Sequence, residues 1–132
     1  MISKNSLIYI IDDDLSYGNL VELNLINQDF KHVLLFTDEK LCLESMKDGP
    51  KVLISDFHLK NMTGFKLIQK ARKIYPDFYT ILFSADYEYT NYKDVLTSRQ
   101  VNKYIYKDCN TITELLETLE LWMQSDQFIQ YY

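Results

Sequence analysis

Short apolar runs alternate with longer amphipathic stretches from one end of the chain to the other, five times over, and no other feature narrows the accessible folds so far. The run at 7–11 (LIYII) is continuously apolar and rich in β-branched residues, the pattern of a parallel strand covered on both faces. Leu15, Leu20, Leu23 and Ile26, with Asn and Glu between them, predict a helix from 15 to about 28. Residues 33–36 read as a second strand. Leu41, Leu43 and Met46 belong to a second helix that Gly49-Pro50 ends, and 52–54 form a third strand stopping at Asp56. Gly64 opens a third helix through Phe65, Leu67, Ile68, Ala71 and Ile74, closed by Pro76, and 80–83 follow as strand four. The stretch 84–101, rich in Tyr, Asp and Asn, is predicted to hold a short, poorly amphipathic fourth helix at 92–98, ahead of a fifth strand at 104–106. The fifth helix carries Ile112, Leu115, Leu116, Leu119, Trp122 and Met123 on one face, behind a predicted capping box of Thr111 and Glu114.

Five such units with right-handed crossovers make an α/β fold, a doubly wound five-stranded parallel sheet with five helices. Ligands on such sheets sit beyond the carboxyl ends of the strands. The residues just past the predicted strands are Asp12-Asp13-Asp14, Thr37-Asp38, Asp56, Ser84-Ala85 and Lys107-Asp108. Strands one, three, four and five therefore deliver carboxylates, a carboxylate, a hydroxyl and an ammonium to one edge.

The chain has 132 residues, 47% of them hydrophobic, enough for one core without disulfides or a structural metal. We assign 1–125 to a single domain and 126–132 to a C-terminal tail or linker stub. With 14 Lys+Arg against 19 Asp+Glu the net charge is -5, and no basic block offsets it, which argues against nucleic-acid binding by this chain. Cys42 and Cys109 form no CxxC or Cys/His cluster, so a reducing, cytoplasmic setting is expected. No apolar run approaches the roughly 20 residues that span a bilayer, and no leader-like segment opens the chain, so no membrane association is expected.

If strands one and three are neighbours, Asp12 and Asp13 stand close to Asp56, and like charges at that distance repel. A hard divalent cation such as Mg²⁺ relieves this, since it takes oxygen ligands from a few carboxylates and completes its shell with water and phosphate. Taken alone, the triple Asp reads equally as a cap for the first helix. The joint placement of Lys107 and Ser84 at the same edge favours the charged site. An ammonium, a hydroxyl, a metal and a nucleophilic carboxylate are the parts that phosphoryl transfer needs.

These residues resemble the response regulator receiver domain pattern over nearly the whole chain. Asp12-Asp13 follow strand one; Asp56 follows strand three with Gly64 eight residues on; Ser84-Ala85 follow strand four; Lys107 follows strand five. The resemblance implies a flavodoxin-like fold with strand order 2-1-3-4-5. It implies Asp56 as phosphoacceptor, with Mg²⁺ (or Mn²⁺) held by Asp13, Asp56 and the His58 backbone carbonyl, Asp12 lying close by. Ser84 and Lys107 are implied to hold the phosphoryl oxygens, and Tyr104, three residues before the lysine, to be a rotamer switch. The implied partners are a sensor histidine kinase or histidine phosphotransfer protein upstream, and an effector protein or covalently linked output domain downstream. The surface of helix four, strand five and helix five is implied to change, with Tyr87, Tyr89 and Tyr92 candidates for it, and a homodimer would use the same face.

The chain departs from the pattern in places. Asp108 stands where the family usually has Pro, often after a cis bond, so a trans bond or local strain is expected between Lys107 and Asp108. The loop after Asp56 carries Lys60 and Thr63 in place of the common Pro and acidic residue, and a looser loop is expected. His58 and Asp86 lie two residues beyond Asp56 and Ser84, where side chains are placed to set the lifetime of a phosphorylated state. A haloacid-dehalogenase-type phosphatase would need a second Asp at position 58, and a flavodoxin would need a phosphate-cradling first loop that Asp12, Asp13 and Asp14 would repel. The remaining alternative is a degenerate receiver that serves as a non-phosphorylated docking module.

Overall fold

The computed structural model describes residues 2–85 and 100–130, of which 125–130 are described as helix backbone only. Its elements are β1 (Leu7–Ile11), α1 (Leu15–Asn27), β2 (His32–Phe36), α2 (Glu39–Ser45), a 3-10 turn (Met46–Asp48), β3 (Val52–Asp56), α3 (Gly64–Ile74), β4 (Tyr79–Ser84), β5 (Lys103–Tyr106) and α4 (Thr111–Gln130). All strand pairs are parallel, in the order β2-β1-β3-β4-β5. This is the flavodoxin-like order expected. The described residues hold four α-helices. The helix predicted at 92–98 lies outside them, so α4 is the fifth helix of the sequence reading and continues to Gln130, past the 125/126 division. Among the described residues no helix is long and apolar enough to cross a membrane.

The central strands are apolar on both faces because both faces are covered. Tyr9, Ile11, Leu53 and Leu82 point to the side of α2 and α3, where Cys42, Met46, Leu67, Ile68 and Ala71 meet them. Ile8, Ile10, Ile54, Ile81, Phe83 and Ile105 point to the other side, under Val21 and Leu25 of α1 and Leu115 and Leu119 of α4. Gly49 stops the 3-10 turn at φ 72°, a left-handed backbone that glycine adopts without a Cβ penalty.

Two local expectations are corrected. In α1 the buried residues are Gly18, Val21 and Leu25, whereas Leu15, Leu20, Leu23 and Ile26 are exposed. The helix is apolar on both sides, so spacing alone selects the wrong face. The capping box at α4 is not formed either. The Glu114 amide donates to the Asn110 carbonyl, the Glu114 carboxylate pairs with Lys103 at 3.3 Å, and the Thr111 hydroxyl turns back to the loop.

At the amino edge of the sheet Arg72 of α3 stitches the chain together. Its guanidinium donates to the carbonyls of Pro76 (3.2 Å), Phe78 (3.0 Å) and Gln100 (2.6 Å) and lies over the Phe78 ring. Beside it, Thr80 N donates to Asn102 Oδ1 at 2.8 Å and Asn102 N to Thr80 Oγ1 at 3.0 Å, pinning the entries of β4 and β5.

Candidate functional site

The carboxyl edge is organised by the parallel register. Ile11 pairs with Ser55, so one step further Asp12 stands beside Asp56. The ladder runs past the strand ends: Asp12 N donates to Phe36 O (3.1 Å), Phe57 N to Phe83 O (2.6 Å) and Lys107 N to Ser84 O (2.9 Å). Each chemically active residue therefore leaves the sheet from a fixed backbone.

The three aspartates after β1 divide their work. Asp14 is the cap of α1, its Oδ1 accepting from Ser16 N (3.0 Å) and Tyr17 N (3.3 Å). Asp12 and Asp13 join Asp56 in a cluster whose carboxylate oxygens lie within 4.8 Å of one another. The capping role thus falls to Asp14, and Asp12 and Asp13 are left to the carboxylate cluster. Asp12 is buried, Asp56 partly buried and Asp13 exposed, so the cluster opens to solvent on one side.

Lys107 supplies the counter-charge. Its Nζ lies 2.9 Å from Asp56 Oδ1 and 3.6 Å from Asp12 Oδ2. Burial pushes the Asp12 carboxyl above its ordinary range and the charges of Asp56 and Asp13 add to this, against the Asp14 amide and the Lys107 charge, which act the other way. Burial works against the charged form of Lys107, but the hydrogen bond to Asp56 and the charges of Asp56 and Asp12 outweigh it and raise its pKa. Three carboxylates against one ammonium leave an anionic, all-oxygen donor set with an open face, which suits a hard divalent cation that keeps part of its water.

The Lys107–Asp108 peptide is trans, since no cis bond occurs among the described residues. The Asp108 N–H, which a proline would lack, donates to Thr111 Oγ1 at 2.7 Å, and Asp108 Oδ1 accepts from Asn110 N at 2.8 Å. The departure from the proline pattern therefore carries its own hydrogen bonds, and Lys107 still reaches Asp56.

Ser84 is buried at the end of β4, in register with Tyr106. Tyr104 pairs with Leu82 and packs against the core on the α2 and α3 side, its ring 5.3 Å from that of Tyr106 at 73°. Alternation along β4 and β5 puts Ser84, Tyr104 and Tyr106 on one face of the sheet. His58 is exposed, its ring edge-on to Phe57, and it forms an isolated bridge with Thr63. Asp86, Tyr87, Tyr89 and Tyr92 lie outside the described residues.

Three features escaped the sequence. Buried Glu39 accepts from Asn61 N (3.2 Å) and Asn61 Nδ2 (2.7 Å), tying to α2 a loop expected to be loose. Gly64 is packed against the acceptor strand: a Cβ there would lie 2.1 Å from the Asp56 carbonyl oxygen and 2.6 Å from Ser55 Oγ. Tyr17 of α1 places its ring 4.2 Å from Lys107 Nζ. Its signal was only its position, one helical turn beyond the acid pair on the side that faces the sheet.

A doubly wound sheet bearing an acid cluster and a lysine at its carboxyl edge defines a small class of proteins, and the comparisons place the chain within it. The model for the response regulator receiver domain matches residues 8–120, and the chain belongs to that family. A CheY-like response regulator receiver domain from Methanospirillum hungatei superposes with a TM-score of 0.81 at 21% identity, covering 93% of this chain and 97% of that one. The signal receiver domain of an HD domain-containing protein from Pseudomonas fluorescens gives 0.80 at 18% identity, covering 99% and 96%. The receiver domain of a putative LuxO repressor protein from Vibrio parahaemolyticus gives 0.81 at 12%, covering 96% of each. No curated protein sequence matches the chain.

Proposed function

We propose that this receiver is a phosphorylation switch of a two-component system, with Asp56 as the acceptor. The observation that carries this reading is the Lys107 ammonium 2.9 Å from Asp56 inside a three-carboxylate cluster at the sheet's carboxyl edge. A carboxylate oxygen of Asp56 attacks the phosphorus of a phosphohistidine on a sensor histidine kinase or a histidine phosphotransfer protein. The P–N bond breaks, its electron pair returns to the imidazole, and an aspartyl phosphate results. Lys107 and the Ser84 hydroxyl receive the phosphoryl oxygens, so the ammonium that balances Asp56 beforehand balances the phosphoryl group afterwards. Asp12, Asp13, Asp56 and the His58 carbonyl would hold Mg²⁺ or Mn²⁺, which when bound neutralises charge on the transferring group. His58 and Asp86 bear on how fast water removes it.

The output follows from the face shared by Ser84 and Tyr104. Movement of the Ser84 hydroxyl toward the phosphoryl group leaves space that Tyr104 takes up, changing the surface next to β5 and α4 that an effector or linked output domain reads. Such a protein works in the cytoplasm, where its kinases present their phosphohistidines.

The test is incubation with a small phosphodonor and Mg²⁺ followed by intact mass. A phosphoryl adduct on the wild type that is absent from Asp56→Asn supports the switch. No adduct under any condition overturns it in favour of the docking module.

A further inference from the structure

Lys107 ends in four rotatable bonds, beyond a backbone held by the Lys107 N bond to Ser84 O and the Asp108 N bond to Thr111 Oγ1. Two carboxylates attract its ammonium, at 2.9 and 3.6 Å, and the cluster is open to water on the exposed Asp13 side. Tyr17 closes another side. Its ring lies flat beneath Lys107 Nζ, 4.2 Å from centroid to nitrogen. The ring is itself held: the Tyr17 amide is capped by Asp14 Oδ1, and the ring meets buried Phe83 edge-on, at 6.3 Å and 89°. Phe83 precedes Ser84, and its carbonyl takes the Phe57 amide that follows Asp56. One aromatic side chain thus ties α1, the end of β4 and the site lysine into a single unit.

We propose that Tyr17 is a positioning residue for Lys107, its π face fixing the ammonium between Asp56 and Asp12 before a phosphoryl group arrives. This rests on the reading of Asp56 as acceptor. An ammonium is attracted to the ring face without being neutralised by it, so Lys107 keeps its full charge for the incoming oxygens. A third carboxylate in the same place would hold the lysine as well but would repel the phosphoryl group. The backbone around Lys107 is trans and ordered by the Asp108–Thr111 bond, so the ring has only the side chain to place.

The test compares wild type with Tyr17→Phe, which keeps the ring, and Tyr17→Leu, which keeps only apolar bulk; Tyr17→Met replaces the latter if the Leu variant does not fold. The first readout needs no phosphodonor. Ring current should shift the Lys107 ε-methylene protons upfield in the wild type and in Tyr17→Phe, and the shift should vanish in Tyr17→Leu. The second is the phosphorylation rate with a small phosphodonor at saturating Mg²⁺, which should fall roughly tenfold in Tyr17→Leu and be restored in Tyr17→Phe. An unshifted Lys107 in the wild type, or an unchanged rate in the folded Leu or Met variant, overturns the role of Tyr17 and leaves the acceptor reading intact. A wild type that shows the shift but never accepts phosphoryl overturns the acceptor reading, and with it the role assigned to the ring in transfer.

Discussion

Thr111 receives the Asp108 N–H on its hydroxyl at 2.7 Å and hands its own proton toward the Tyr106 carbonyl at 2.8 Å, so the first residue of α4 closes the loop that follows Lys107. Thr111 is buried, and neither bond is replaced by water when it is lost. Thr111→Val should therefore lower the unfolding free energy by roughly 1–3 kcal/mol in urea titration, with Thr111→Ser close to the wild type. Asp108→Pro, which restores the family's usual residue, should also destabilise, because it removes the donor. A more stable Asp108→Pro would show that the hydrogen bond is dispensable.

Burial, with the charges of Asp56 and Asp13, opposes the charged form of Asp12 and raises its pKa. Asp12→Asn keeps the oxygen that accepts the Asp14 N–H and removes the repulsion. Without divalent cations the variant should melt a few degrees above the wild type. With millimolar Mg²⁺ the order should narrow or reverse, since the proposed cation site keeps all three carboxylates only in the wild type. Thermal melts with and without Mg²⁺ check both halves.

Gly64→Ala forces a methyl group against a backbone oxygen that cannot turn aside, 2.1 Å from the Asp56 carbonyl. Relief requires α3 or the end of β3 to shift, which should cost about 1–3 kcal/mol. Because the shift moves Asp56, Mg²⁺ affinity should weaken in the same variant. Calorimetric titration of a folded Gly64→Ala protein that binds Mg²⁺ as tightly as the wild type would sink this link.

The two thiols should behave oppositely. Cys42 is fully buried in α2, and burial pushes its pKa up to about 12, whereas Cys109 is exposed. A disulfide reagent at pH 8 should titrate one thiol in the native protein and two in denaturant. The folded state keeps the Cys42 proton that the unfolded chain gives up, so the contribution is fully present below the ordinary thiol pKa. It is lost as pH rises toward about 12. Cys42→Ala should lose less stability over that alkaline window.

The strands and the gathering of Asp12, Asp13, Asp56 and Lys107 at one edge were legible because a parallel strand must be apolar throughout and must release its next residue at the carboxyl edge. The face of α1 was not. Gly18 lies under Leu35, where a Cβ would come within 2.6 Å of Leu35 Cδ1, so the helix approaches the sheet on its smallest residue while leucines on the opposite side offer a stronger apolar pattern. The tie between Glu39 and Asn61 and the stacking of Tyr17 on Lys107 join residues far apart in the chain. Neither has a local pattern. The division of labour between Asp14 and its two predecessors also needed the helix start to be located to the residue, which periodicity does not do.

The Arg72 stitch gives the sheet two unlike rims. At one, a guanidinium with only neutral oxygens as acceptors rivets the entries of β4 and β5, and no change of charge state is available to release it. At the other, three carboxylates outnumber one ammonium, and any cation or anion that binds there alters the sum. A disturbance there acts on strands anchored at their far ends, so it is spent as bending and side-chain rotation near the charged rim and not as slippage of one strand past its neighbour.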